Sequence, residues 1–273
     1  MRVKGKARQW SAIATMAAVA MLVTVSGCRN ELMDLDVDEP EPEAYTVTFE
    51  RQGGVGGSTS VTATMGQPMP VAMAPSKAGV LFDGYYTSPN GSGAQYYTAA
   101  MESARDWDIP ANTELIANWV YEIGATGPAG GIVFYDKGEY TDGWRYLEAW
   151  TADEEGIHQW KTNTTSTPGT TTGVGSGYQN TYSAMLGTLH PAAEVVRNAA
   201  HGGYDDWFLP SKDELNLMYE NLHEEGLGGF GSDVYWSSSE IFEDGAWAQT
   251  FVNGNDFVND KNGIARARAA RAF

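Results

Sequence analysis

The chain has 273 residues, a formal net charge of −18 and one cysteine. An acidic balance of this size excludes nucleic acid and anionic lipid head groups as partners, because both need clustered Lys and Arg. A single cysteine leaves no disulfide framework and no cysteine metal site.

The first residues carry four positive charges (Arg2, Lys4, Lys6, Arg8) and no acid, and an apolar run over 11–25 follows. That is the pattern of a secretory signal peptide, here 1–27. Fifteen helical residues reach only about 22 Å, short of the roughly 30 Å hydrocarbon core of a bilayer. The end of the run, Val25, Ser26, Gly27 and Cys28, resembles the lipobox of bacterial lipoproteins. The resemblance implies cleavage before Cys28 and lipidation of its thiol. Two or more acyl chains, at roughly 0.8 kcal/mol per buried methylene, would hold the chain on a membrane.

Removing 1–27 takes the net charge to −22, and seven of the remaining acids crowd into 29–44 with Pro40 and Pro42. Such a run cannot bury enough apolar surface to offset chain entropy, so 28–44 reads as a lipidated, disordered acidic tether. An acidic stretch after a lipidated cysteine also resembles the surface-export signals of some Gram-negative lipoproteins. The expected location is therefore the outer membrane, facing outward.

Two folded domains are expected beyond the tether, giving an α+β fold overall. In the first, 45–121, strands are predicted at 45–50, 60–65, 80–86 and 113–120, from alternating apolar and polar residues broken by glycine-rich turns. The pieces VTFERQGG, GVLFDGYYTSPNG and TELIANWV resemble the Listeria–Bacteroides repeat, also known from internalin B. The resemblance implies a small β-grasp-like spacer module.

GATGPAG then reads as a linker, 122–130, with too few collagen-like triplets for a triple helix. In the second domain, 131–273, strands are predicted at 131–135 and 144–150, and a threonine-rich surface loop at 162–177. Asn163 starts a glycosylation sequon by pattern only. Pro191 opens a helix over 190–200 and Gly202 follows its end. After a short strand at 206–209, Ser211 and Glu214 form a capping box for a second helix. Its buried face is expected to hold Leu215, Met218, Tyr219 and Leu222, with Asp213, Asn216 and Glu220 toward water. Strands at 234–240 and 246–252 follow. Asn253-Gly254 and Asn262-Gly263 are type I′ hairpin signals, which predict a closing meander of 246–252, 255–261 and 264–272. In it Trp247, Gln249 and Phe251 share a face.

GPAGGIVFY, GWRYLEAW, TGVGSGYQNT, GGYDDWFLPSKDEL, YWSSSE and RARAARAF, in this order, resemble the C-terminal domain of the Legionella collagen-like adhesin. The resemblance implies an extracellular domain distantly like C-type lectins and formylglycine-generating enzymes. It also implies trimers and sulfated glycosaminoglycan ligands. Nine Lys and Arg against 21 acids from residue 124 onward, and the missing collagen, speak against those two properties here.

Trp207, Trp236 and Trp247 are the candidate sugar-stacking surfaces, set against a role in the core. Asn253, Asn255, Asp256, Asn259 and Asp260 are the candidate Ca²⁺ ligands, hard oxygens close in sequence, set against turn and strand roles. The four histidines lack metal-ligand spacing. Ser237, Ser238 and Ser239 lack a nucleophile elbow, and Glu154 with Glu155 make no glycosidase pair without geometry. The expectation is a non-enzymatic, lipid-anchored surface protein presenting a glycan-binding or host-protein- or matrix-protein-binding domain. A structural envelope protein and a glycan hydrolase are the alternatives.

Overall fold

Strand-forming alternation and glycine punctuation dominate the chain. The computed structural model accordingly is β-rich α+β, 36% strand and 12% helix. It describes residues 41–273; the signal segment, Cys28 and most of the acidic tether lie outside them. No helix among the described residues is long and apolar enough to cross a membrane.

The first five strands, β1 (Ala44–Glu50), β2 (Ser60–Thr64), β3 (Leu81–Tyr86), β4 (Gln95–Thr98) and β5 (Thr113–Val120), form one sheet in the order β2-β1-β5-β3-β4. Its central pair, β1 with β5, is parallel, and the other neighbours are antiparallel. Val47, Phe49, Tyr85, Tyr97, Trp107 and Leu115 pack into its core. β4 was missed in the sequence because QYYT is too short to alternate visibly.

The next two strands, β6 (Ile132–Thr141) and β7 (Trp144–Ala149), form a hairpin. Its two-residue turn is Asp142-Gly143, with φ of 53° and 86°. Both residues accept the positive φ that a type I′ turn demands. The preceding segment, 124–130, is no loose linker: Gly124 N–H donates to Val133 O (2.8 Å) and Gly127 N–H to Gly131 O (2.8 Å). A buried Glu148 carboxylate also accepts N–H from Ala129 and Gly131.

β8 (His158–Gln159) is followed by α1 (Gly177–Gln179), which runs on into a π-helical turn over Asn180–Ala184. Pro191 starts α2 (Pro191–Arg197) at the position where its missing N–H costs nothing. The capping box is present: Glu214 N–H donates to Ser211 Oγ, and the Glu214 carboxylate accepts Ser211 N–H (2.7 Å) at the start of α3 (Lys212–Met218). Leu215, Met218 and Leu222 are buried as predicted, and Glu220 is exposed.

β9 (Val234–Phe242), β10 (Gly245–Thr250) and β11 (Asp256–Asp260) form a sheet in the order β11-β10-β9. The predicted third strand of the meander does not pair with β11; it touches the sheet only at the opposite edge, where Arg266 forms a parallel bridge with Tyr235 of β9. Instead β12 (Ile264–Ala265) pairs with β8, and β13 (Ala270–Ala272) pairs with β7. The physical reason is Lys261. The turn that closes with Gly263 N–H on Asp260 O (2.8 Å) swallows its ammonium, which pairs with Glu240 and donates to Glu243 O (2.7 Å) and Thr165 O (3.1 Å). Neither Asn262 nor Gly263 has a positive φ, and of Asn253-Gly254 only Gly254 does, at 76°, so neither pair is a type I′ turn.

The strand predicted at 206–209 reduces to one reciprocal bridge, Phe208 with Ala270. The threonine-rich segment lacks regular structure but is pinned. Lys161 Nζ donates to Thr165 O, Ser166 O and Thr167 Oγ1, and Thr167 is itself buried. Pro42–Phe273 is one compact unit. Its two halves meet where Tyr121 packs edge-on against Tyr146 (5.3 Å) and Phe273 (5.2 Å).

Candidate functional site

A cleft of about 490 Å³ opens at the tip of the β6–β7 hairpin. That lies within the roughly 300–1,000 Å³ range of small-ligand sites. Asp142 and Trp144 reach it from the hairpin, Tyr178 and Gln179 from α1, and Asp206 with Phe208 from the segment before α3. The type I′ turn projects Trp144 at the rim, where Lys137 Nζ lies 3.9 Å from its ring centroid. Tyr178 is 41% exposed, stacks on Tyr182 (4.6 Å) and meets Phe208 edge-on (6.1 Å). The stacking fixes an open aromatic face on a rigid support.

Asp206 is held by a charge relay that crosses the fold. Its Oδ1 accepts Arg271 Nε–H (2.6 Å), and Arg271 Nη1 donates to Glu148 Oε1 (3.1 Å). Arg271 also lies over the Tyr204 ring, 3.8 Å from guanidinium carbon to centroid. Burial pushes the Glu148 carboxyl above its ordinary range, opposed by Arg271 and by the Ala129 and Gly131 N–H groups. Segments 127–131, 143–150, 202–210 and 266–273 thus converge on one network.

Glu214 stands behind the cleft wall. Its Oε1 accepts Gly175 N–H (2.7 Å) and Gly177 N–H (3.5 Å) while Oε2 holds the cap. Burial pushes its carboxyl up to about 7, against the pull of Ser211, Gly175 and Gly177 N–H. The acid of the capping box therefore does two jobs, starting a helix and fastening the loop that carries Gly175 into the cleft.

The residues singled out from sequence lie elsewhere. Trp207 and Trp236 are fully buried in the core, their indole N–H groups donated to His201 O and His158 O, and neither presents a face outside. Trp247 is partly exposed on β10, with Lys212 Nζ 4.9 Å from its ring centroid. It shares a face with Gln249, and Gln249 Nε2–H donates to Asn216 Oδ1 (2.8 Å).

The five candidate calcium ligands do not converge. Asp256 and Asp260 close opposite ends of β11, roughly 13 Å apart at strand rise. Asp256 is paired with Lys212 Nζ (2.5 Å), and Asn253 Oδ1 accepts Asn255 N–H (3.1 Å) within its own turn. Among the described residues no cluster of three His, Cys, Asp or Glu could hold a metal ion.

His190 is buried against Thr167 Oγ1 (3.0 Å), and burial takes it down to about 4. His201 pairs with Glu154 (2.7 Å) and stacks on Trp150 (4.4 Å). Ser237, Ser238 and Ser239 are buried and hydrogen-bonded. Cys28 lies outside the described residues. Trp144, Tyr178 and Asp206 were not singled out from the sequence, although Asp142-Gly143 was a legible hairpin signal that would have placed Trp144 at a tip.

No family model matches the chain, for the repeat or for the adhesin domain, and no curated protein matches it. Among solved structures, the chain is similar to a fimbrial protein from Bacteroides ovatus at 13% identity and a TM-score of 0.39. That similarity covers 85% of this chain and 71% of the other.

Proposed function

We propose that this is a lipid-anchored bacterial surface protein that binds glycan through the cleft between Trp144, Tyr178 and Asp206. The observation that carries the reading is the composition of that cleft. It combines the partly exposed rings of Trp144 and Tyr178 with a carboxylate and an amide, a pairing of flat apolar and directed polar groups that complements the apolar faces and hydroxyls of sugars. The five-stranded sheet serves as a β-grasp-like spacer, and residues 131–273 as the lectin-like part. Cys28 carries the anchor, and the acidic tether holds the folded part away from the outer membrane.

Residues 29–273 on glycan and matrix-protein arrays test it. Saturable binding is expected, indifferent to calcium or chelator because the 253–260 oxygens do not converge, and lost in Trp144→Ala. No binding to either class would sink the reading in favour of a structural envelope role. Cys28→Ser is expected to release the chain from the membrane fraction.

Asp142 and Asp206 both line the cleft, and this observation favours hydrolysis as a second reading. Release of reducing ends, abolished in Asp206→Asn, would support it. Recovery of the bound saccharide intact would leave binding alone.

A further inference from the structure

Three aromatic rings (Trp144, Tyr178, Phe208) and two carboxylates (Asp142, Asp206) line the cleft, and no Lys, Arg or His lines it. The ion pairs of this region join Arg145 to Asp136 (2.8 Å) and Arg271 to Asp206 (2.6 Å), and among the described residues Asp142 takes part in none. Lys137 sits close by in sequence, but its ammonium donates to Thr141 O (2.6 Å) and lies on the Trp144 ring at the rim. Asp206 is compensated only in part. Its side chain is 42% exposed, and the guanidinium on its Oδ1 is shared with Glu148.

The turn does not account for the Asp142 carboxylate. Its φ of 53° belongs to a type I′ turn, and Asn before Gly satisfies that turn as well as Asp does. What the acid adds is charge, and the hairpin carries that charge to the cleft.

Rings and carboxylates together suit an ammonium group, which is drawn to the face of a Trp or Tyr ring and makes a charge-assisted hydrogen bond to a carboxylate. The Trp144 ring already takes the Lys137 ammonium, 3.9 Å from its centroid. The net charge of −18 attracts cations over longer range and repels sulfated or carboxylated glycans.

We infer that the cleft binds a cationic glycan, one with unacetylated amino-sugar units whose ammonium meets Asp142 and the open side of Asp206. This rests on the glycan-binding reading of the cleft. It adds the charge of the ligand and the residue that selects for it.

Calorimetric titration of residues 29–273 with three trisaccharides of one linkage tests it: β-1,4-linked glucosamine, its N-acetylated counterpart and cellotriose. They differ only in the group at C2, and the buffer is acidic enough to keep the amine charged. The glucosamine trimer is expected to bind about tenfold more tightly than cellotriose, the worth of one hydrogen bond between charged groups. Added salt should shrink that preference. Asp142→Asn keeps the turn and should bring the ratio of the two affinities close to one, with a thermal melt to check that the variant folds. A ratio near one in the parent, tighter binding of the N-acetylated trimer, or a preference that survives Asp142→Asn overturns the inference and leaves the glycan reading standing. Spermidine bound as tightly as the glucosamine trimer would show that charge alone is read, and overturns both. Failure of every saccharide to bind also overturns the inference and the reading beneath it together.

Discussion

At the scale of single residues, Glu214 has the most to reveal. Its carboxyl is raised to about 7 from an ordinary 4.5, chiefly by burial. The folded state therefore keeps a proton that the unfolded chain releases at lower pH. The stability this contributes is full below about 4.5 and is lost as pH rises through about 7. A shift of about two and a half units amounts to roughly 3 kcal/mol. Glu214→Gln is expected to gain on the parent by that order between pH 4.5 and 7, read as the difference in urea-unfolding free energy. A constant difference would show that the three backbone N–H groups solvate the carboxylate fully. His190 works in the opposite sense: its pKa is lowered to about 4, so its contribution is present above its ordinary 6.5 and lost as pH falls through about 4.

At the scale of elements, α3 and the turn before β12 show how short polar signals set direction. Ser211 Oγ accepts Glu214 N–H and donates to Gly173 O (3.0 Å), so it fastens both the helix and the cleft loop. Ser211→Ala should cost about 1 to 2 kcal/mol in unfolding free energy, the upper part of the range for an N-cap. Lys261→Met should cost more, on the order of 3 to 5 kcal/mol, because it leaves Glu240 with no cation. The double variant with Glu240→Leu is expected to recover much of that loss. If the double variant is as unstable as the single one, the pair is not what diverts the chain from β11 to β8.

Helices α2 and α3, the capping box of α3 and nine of the thirteen strands were legible in sequence, because amphipathic period and capping chemistry are local, whereas α1 and the π-helical turn after it were not. The closing meander was not. Asn-Gly pairs signal a turn, but whether the following strand returns to its neighbour depends on a buried ion pair with Glu240, contributed by a distant strand. Trp207, Trp236 and Trp247 illustrate the same limit, since a tryptophan on a strand reads alike whether its face meets core or water.

At the scale of the whole molecule, Arg271 ties the turn at 127–131, β7, β13 and the cleft into one assembly through Glu148 and Asp206. Arg271→Leu is expected to lower stability by about 3 to 5 kcal/mol, since Glu148 is left buried and unpaired. It should also weaken saccharide binding, by freeing Asp206 to move, which a melt and a titration on the same sample would separate. Binding unchanged in a folded variant would mean that Asp206 needs no anchor.

Composition alone set the acidic character, because net charge does not depend on folding. Local pattern alone set the β-rich α+β class and the capping box, because hydrogen-bond periods and turn chemistry act between near neighbours. The tertiary structure decided where the cleft lies. Trp144, Tyr178 and Asp206 come from three separate elements, and burial and long-range ion pairs bring them together without leaving a spacing in the chain to read.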